Sequence, residues 1–356
     1  MPGLFKGAKI GAQAYLNYIN SQGGLFGRKL QLQVGDDQLD AGQNKSQVDD
    51  LSSKVFAFLG SFSVNDDAGA ADMQAAGVPD VGYALSNARS DIAVNFSPQP
   101  NAHGWRSGPL KYFAQKFGPT VIQHVAFYTE DVQSAKDNAA GQRAVATSIG
   151  YRFPVGRLIE PNEANFTGDV LQMQQNGIKG IILSGDEGTM SRFAKAMKDQ
   201  GFSVAFANWG ASAYDPAWIG DSGGGAEGAL LDQSLSLYAG EDRNVIPEDA
   251  LFLHWMQVTD PSQKIDIFAA YSWASGKLLV DALKAVGAKP TRKALLAQLK
   301  TVHSFDDNGL LAPADPGSKV GATCWLQIKV QGGKFVRVDE PANGYRCTDG
   351  PWQRVA

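Results

Sequence analysis

Apolar residues first recur at a helical spacing. In FKGAKIGAQAYLNYIN, Ala8, Ala12, Leu16 and Ile19 share one face, and Gly23-Gly24 supplies a glycine stop. KLQLQV at 29–34 then alternates apolar and polar positions, the period of a strand. DAGQNKSQVDDLSSK returns to helix, VFAFLGSF at 55–62 is a continuous apolar strand, DDAGAADMQAAG is helical and VPDVGYA is the next strand. The theme repeats as strands HVAFYTE, RFPVGRLIE, KGIILSG and FSVAFAN, separated by helices QSAKDNAAGQRAVATSIG, FTGDVLQMQQNG and EGTMSRFAKAMKDQG. Unbroken strand–helix alternation with apolar strands predicts an α/β fold, with parallel sheets flanked by helices.

After residue 245 the pattern turns helical through PEDALFLHWMQ, IDIFAAYSWASGKLLVDALKAVG and TRKALLAQLK. WLQIKVQGGKFVRV, alternating around Gly332-Gly333, closes the chain as a β-hairpin. Cys324 and Cys347 flank that hairpin. A hairpin brings its flanks together, so a disulfide is expected, and with it an exported protein; two free buried thiols are the alternative. Two α/β runs with a late helical return suggest two lobes, whose strand carboxyl ends, the usual ligand sites, can face one another across a cleft.

A chain of 356 residues suits two domains. Its net charge of −4, without a basic stripe, argues against nucleic acid as a partner. No apolar run reaches the ~20 residues that span a bilayer. The opening MPGLFKGAKIG carries no export signal and reads as a truncated or processed start.

GDSGGG at 220–225 spells the surroundings of a serine-protease nucleophile, Ser222. Acyl transfer needs a base, an orienting acid and an oxyanion hole. The only histidines are His103, His124, His254 and His303, and strand–helix alternation excludes the double β-barrel that this motif belongs to. A glycine turn is the better reading and the chain is not expected to be an enzyme. No phosphate loop, zinc helix or zinc-spaced cysteine pair occurs, so neither cofactor nor metal is expected.

IGDSGGGAEGALL resembles the turn and hinge-bound strand of the type I periplasmic binding proteins, the leucine/isoleucine/valine-binding components of ABC importers. GAQAYLNYINSQGGLFGRKLQL resembles the family's first helix, Gly-Gly turn and second strand. GDDQLDAGQNKSQVDDL resembles its acidic loop and second helix, and FLGSFSVNDDAGAADMQAAGVPDVGYALSNA its strand, two ligand loops, helix and strand. The likeness covers nearly the whole chain in order. It implies two Rossmann-like lobes joined by a three-segment hinge, residues 1–104 with 236–321 and 105–235 with 322–356. It also implies a periplasmic or extracellular protein, lipid-anchored or exported, that closes over a small carboxylate-bearing ligand and delivers it to an ABC permease. A ligand-sensing domain of the same fold is the first alternative, a hydrolase using Ser222 a distant one. The family's first β-strand, ahead of the first helix, is absent from this sequence.

The resemblance also implies a site. Ser63 and the loop Ala84-Leu85-Ser86 would hold the ligand's carboxylate and ammonium, with Ala84 offering its carbonyl; both serines could instead be helix caps. From the second lobe come Gln133 and Asp186, at positions where the family often carries aromatics. The family's ammonium-binding glutamate falls near Trp209, where no acid stands, while Trp209 itself, together with Trp273, would suit a flat or branched apolar group of the ligand. Either Asp186 takes that role, or the ligand has no α-ammonium, or Asp186 merely caps a helix. Tyr271 and Trp273 lie on different faces of one helix, so one of them is expected to reach the ligand, and the family's aromatic aligns best with Trp273.

Overall fold

A computed structural model describes residues 4–338 and 344–355, and the chain in it forms two units. Unit 1 is Met1–Ala102 with Ser236–Ala322; unit 2 is His103–Leu235 with Thr323–Ala356. The chain therefore passes between them three times.

Unit 1 begins with α1 (Lys6–Ser21), α2 (Ala41–Ser52), β1 (Phe58–Leu59), α3 (Ala70–Ala76), β2 (Asp80–Val81) and α4 (Asn87–Asp91). Unit 2 follows with β3 (Gly104–Arg106), α5 (Gly108–Phe117) and α6 (Pro119–Ile122). Alternation then sets in: β4 (Val125–Glu130), α7 (Gln133–Ile149), β5 (Leu158–Ile159), α8 (Thr167–Gln175), β6 (Gly180–Ser184) and α9 (Glu187–Asp199). It ends with β7 (Phe206–Asn208), α10 (Pro216–Asp221) and β8 (Leu230–Gln233). The chain returns to unit 1 for α11 (Pro247–Thr259), α12 (Ile267–Val286) and α13 (Arg292–Leu299). It finishes in unit 2 with β9 (Leu326–Gln331), β10 (Lys334–Arg337) and β11 (Trp352–Arg354).

Unit 2 is the fuller α/β layer. Its sheet runs β10-β9-β8-β7-β6-β4-β5, parallel from β8 to β5, with β9 and β10 added antiparallel. β4 is buried along its whole length, as a strand with helices on both sides must be. Phe113 of α5 stacks on Phe206 of β7 at 4.9 Å within that core. The expected hairpin is β9–β10, turning at Gly332 and Gly333 with φ of 60° and 69°, and Cys324 is bonded to Cys347.

Unit 1 packs α12 against α1 through small residues. A Cβ at Gly11 would lie 2.2 Å from the Ala269 carbonyl, so only glycine permits that approach. Its sheet is smaller than the pattern predicts. β1 pairs only with β2, in parallel, and β2 is bridged to Asn95. The expected strand at 29–34 does not form: no backbone bond joins it to another strand among the described residues. Leu30 instead exchanges both its N–H and its C=O with the Asn20 amide, at 2.8 Å each, and Val34 is 54% exposed. Alternation marks residues suited to a strand, but a ladder also requires a neighbour.

Candidate functional site

In unit 1 the loops after β1 and β2 meet through one buried carboxylate. Asp66 accepts the Leu85 N–H at 2.7 Å and the Ser86 N–H at 3.0 Å, and the Ser86 hydroxyl adds to that hold. Arg89, 1% exposed, lies 3.5 Å from Asp66. It grips Asp80 with two bonds of 2.9 and 2.8 Å and reaches the Ser61 carbonyl and hydroxyl at 2.9 Å each. Burial raises the Asp66 carboxyl above its ordinary range, and the Arg89 charge opposes that rise. Both loops are thus pinned to a buried Asp–Arg–Asp network, which specifies their shape whatever its net contribution to stability.

That network engages Ser86 in the capping role that was the alternative to ligand binding. Its N–H and hydroxyl are engaged by Asp66, and its oxygen also accepts from the Arg89 N–H at 3.2 Å as the cap of α4. Leu85 likewise gives its N–H to Asp66. Ser63, 3% exposed, donates to the Asp37 carboxylate and accepts from the Asn65 N–H at 3.0 Å. The donors expected to meet a ligand carboxylate here are occupied by the protein's own acids. Ala84, 1% exposed, sits between these groups and Tyr83.

The same loops carry an aromatic cluster. Tyr83 stacks on Tyr271 of α12 at 4.4 Å, and Phe62 lies 5.9 Å from Tyr83 and 5.1 Å from Phe268. Phe5 completes it, 4.8 Å from Phe268. α12 is drawn onto β1 by Ser272, whose hydroxyl donates to the Gly60 carbonyl at 2.6 Å. Gly60, at φ +56°, takes the left-handed turn that this close approach needs.

Trp273, the aromatic expected to reach the ligand, does not join the cluster that Tyr271 belongs to. It is fully buried against Tyr15, Tyr18 and Phe252, and its indole N–H donates to Glu248 at 2.8 Å. The signal was available, since Phe268 and Tyr271 are three apart on one helical face and Trp273 is not on it.

In unit 2, Asp186 caps α9, its carboxylate accepting the Thr189 N–H at 2.8 Å. Its own N–H donates to Glu130, the last residue of β4, at 3.1 Å, and the Thr189 hydroxyl donates to Glu130 at 2.6 Å. Glu130, not anticipated from the sequence, is 4% exposed; burial first and the Asp186 charge second push its carboxyl up to about 7. The native state therefore holds a proton here that the unfolded chain releases above about pH 4.5, so this group's contribution to stability falls as pH rises from about 4.5 through 7. Glu130→Gln, which keeps the neutral shape, is expected to melt progressively higher than the wild type across that window. Melting curves of both proteins at pH 5 and pH 8 check it.

Gln133 stands exposed at the start of α7 and donates to Asp137 of its own helix at 2.8 Å. Trp209 lies in the same unit. It is 2% exposed and packs against Phe193 of α9 and Trp218 of α10, inside the core of unit 2 rather than as a wall for ligand. Ser222 is fully buried; its hydroxyl donates to the Ile219 carbonyl and accepts from the Ala226 N–H, as the end of a helix and its turn require. Among the described residues no group of three or more His, Cys, Asp or Glu side chains is placed to hold a metal ion. No helix among them is long and apolar enough to cross a membrane.

A family model described as periplasmic binding protein matches residues 2–334. Among solved structures, a branched-chain amino acid ABC transporter protein from Thermus thermophilus with bound valine has a TM-score of 0.82 at 15% identity, covering 96% of this chain and 92% of its own. A fatty acid ABC transporter substrate-binding protein from Thermomonospora curvata has 0.79 at 17%, covering 95% and 88%. A leucine binding protein from Thermotoga maritima has 0.76 at 13%, covering 95% of each. At these identities they share the fold with this chain. No curated protein sequence matches it.

Proposed function

The chain belongs to the periplasmic binding protein family, and from that premise we propose that it captures a small organic solute outside the cytoplasm and hands it to an ABC permease. The observation that carries this reading is the pair of loops at the carboxyl ends of β1 and β2, preshaped by Arg89 and lined by Phe62, Tyr83 and Tyr271. Strand carboxyl ends are where open α/β sheets bind ligands. Half-buried rings on buried polar supports suit a small organic molecule. The disulfide of Cys324 with Cys347 fits an oxidising compartment.

Capture proceeds by rotation of the units about the three chain crossings. Shifting an equilibrium from 1:99 to 99:1 asks for about 5.5 kcal/mol of preference for the closed form. One buried apolar group contributes ~1.5–3 kcal/mol, and each charge-assisted hydrogen bond ~1.5–3 kcal/mol. One of the first and two of the second give ~4.5–9 kcal/mol, a range that brackets what closure requires.

Native mass spectrometry of the purified protein is expected to show a bound small molecule that leaves on unfolding and rebinds to the refolded, emptied protein. If no molecule copurifies and the emptied protein gives no heat with any solute of a broad panel, the capture reading fails.

A further inference from the structure

We infer that the solute is an organic cation with an apolar or aromatic body, and that it presents no carboxylate to unit 1. This deepens the proposed function and rests on it. The acids do not carry the inference by themselves; it combines the aromatic cluster, the occupied donors and the sign of the local charge.

Phe5, Phe62, Tyr83, Phe268 and Tyr271 form one continuous ring cluster, and only Tyr271 of these is buried. Aromatic faces are negative and attract cations, more so when water is excluded. A carboxylate would need free donors at the ring border, but the N–H groups of Leu85 and Ser86 go to Asp66 and the Ser63 hydroxyl goes to Asp37.

Two carboxylates stand at this border. Asp37 is held by three neutral donors, the Leu39 N–H, the Asn44 amide and the Ser63 hydroxyl. Asp266 caps α12 two residues before Phe268, and its carboxylate lies against Gly7, two residues after Phe5. The nearby cations are committed: Arg89 to Asp80 and Asp66, Lys6 to Asp260, and Lys319 to the carbonyls of Ser90 and Ile92. An anion brought to this border meets like charge, whereas a cation meets opposite charge and ring faces.

Three probes share one phenylethyl unit and separate these cases. 2-Phenylethylamine carries only the cation, 3-phenylpropanoate only the carboxylate and L-phenylalanine both. Calorimetry on the full chain is expected to rank the amine at least roughly tenfold tighter than the acid. Asp37→Asn, checked by its melting curve, is expected to shrink that ratio severalfold. An acid or amino acid that binds as tightly as the amine, or a copurified ligand without a cationic group, overturns the inference and leaves solute capture standing. Should no probe bind, a copurified cation still supports it. No copurified molecule together with silence from all three probes counts against solute capture itself.

Discussion

Arg89→Met is expected to lower the stability of unit 1 by about 3–5 kcal/mol, because it strands Asp80 and Asp66 in the interior without their shared cation. Asp80 would keep the Asn95 amide at 2.8 Å and Asp66 its two backbone N–H donors, so the loss stops short of the full desolvation of two charges. The melting temperature should fall on the order of 10 °C for a unit of this size. Adding Asp80→Asn should recover part of the loss, since one of the two stranded charges is then removed. A melting temperature within a degree or two of the wild type would mean that the network is dispensable. The variant should also lose solute binding, because the loops after β1 and β2 are held through Ser61, Asp66 and Asp80.

Trp273→Ala is the second large effect. The indole is fully buried, so its removal leaves a cavity and costs about 3–5 kcal/mol. It also strips the Glu248 carboxylate of one donor, leaving the Asn308 amide at 2.7 Å. Urea unfolding should show the loss, while the affinity for solute measured on the remaining folded protein should hardly change. Tyr271→Leu should do the opposite: a smaller loss of stability and a solute affinity lower by roughly tenfold. If Trp273→Ala weakened binding and Tyr271→Leu did not, the two faces of α12 would have been assigned the wrong way round.

That pair of residues shows where sequence reading succeeds and where it stops. Both aromatics were visible as candidates, and their separation of two residues already required different faces of α12. Which face turns toward the loops after β1 and β2 depends on Ser272 reaching the Gly60 carbonyl and on Tyr15 and Tyr18 enclosing Trp273, contacts with residues more than two hundred positions away. Asp66 makes the same point for polar groups. It looks like one of two adjacent acids in SVNDDAG, and only the fold carries it to the N–H groups of Leu85 and Ser86, nineteen and twenty positions on.

The resemblance of whole segments pointed to the family; the pattern of the chain by itself determined the fold class, the order of most helices and strands, and the closing hairpin. These follow from local periods and from turn chemistry, which a chain carries wherever its segments end up. Tertiary structure decided the rest: that residues 29–34 have no ladder partner, that Trp209 and Trp273 belong to cores, and that Glu130 and Asp66 are buried acids. Ladder partners, burial and hydrogen-bond occupancy are properties of segments brought together from far apart, and no local pattern encodes which neighbour arrives.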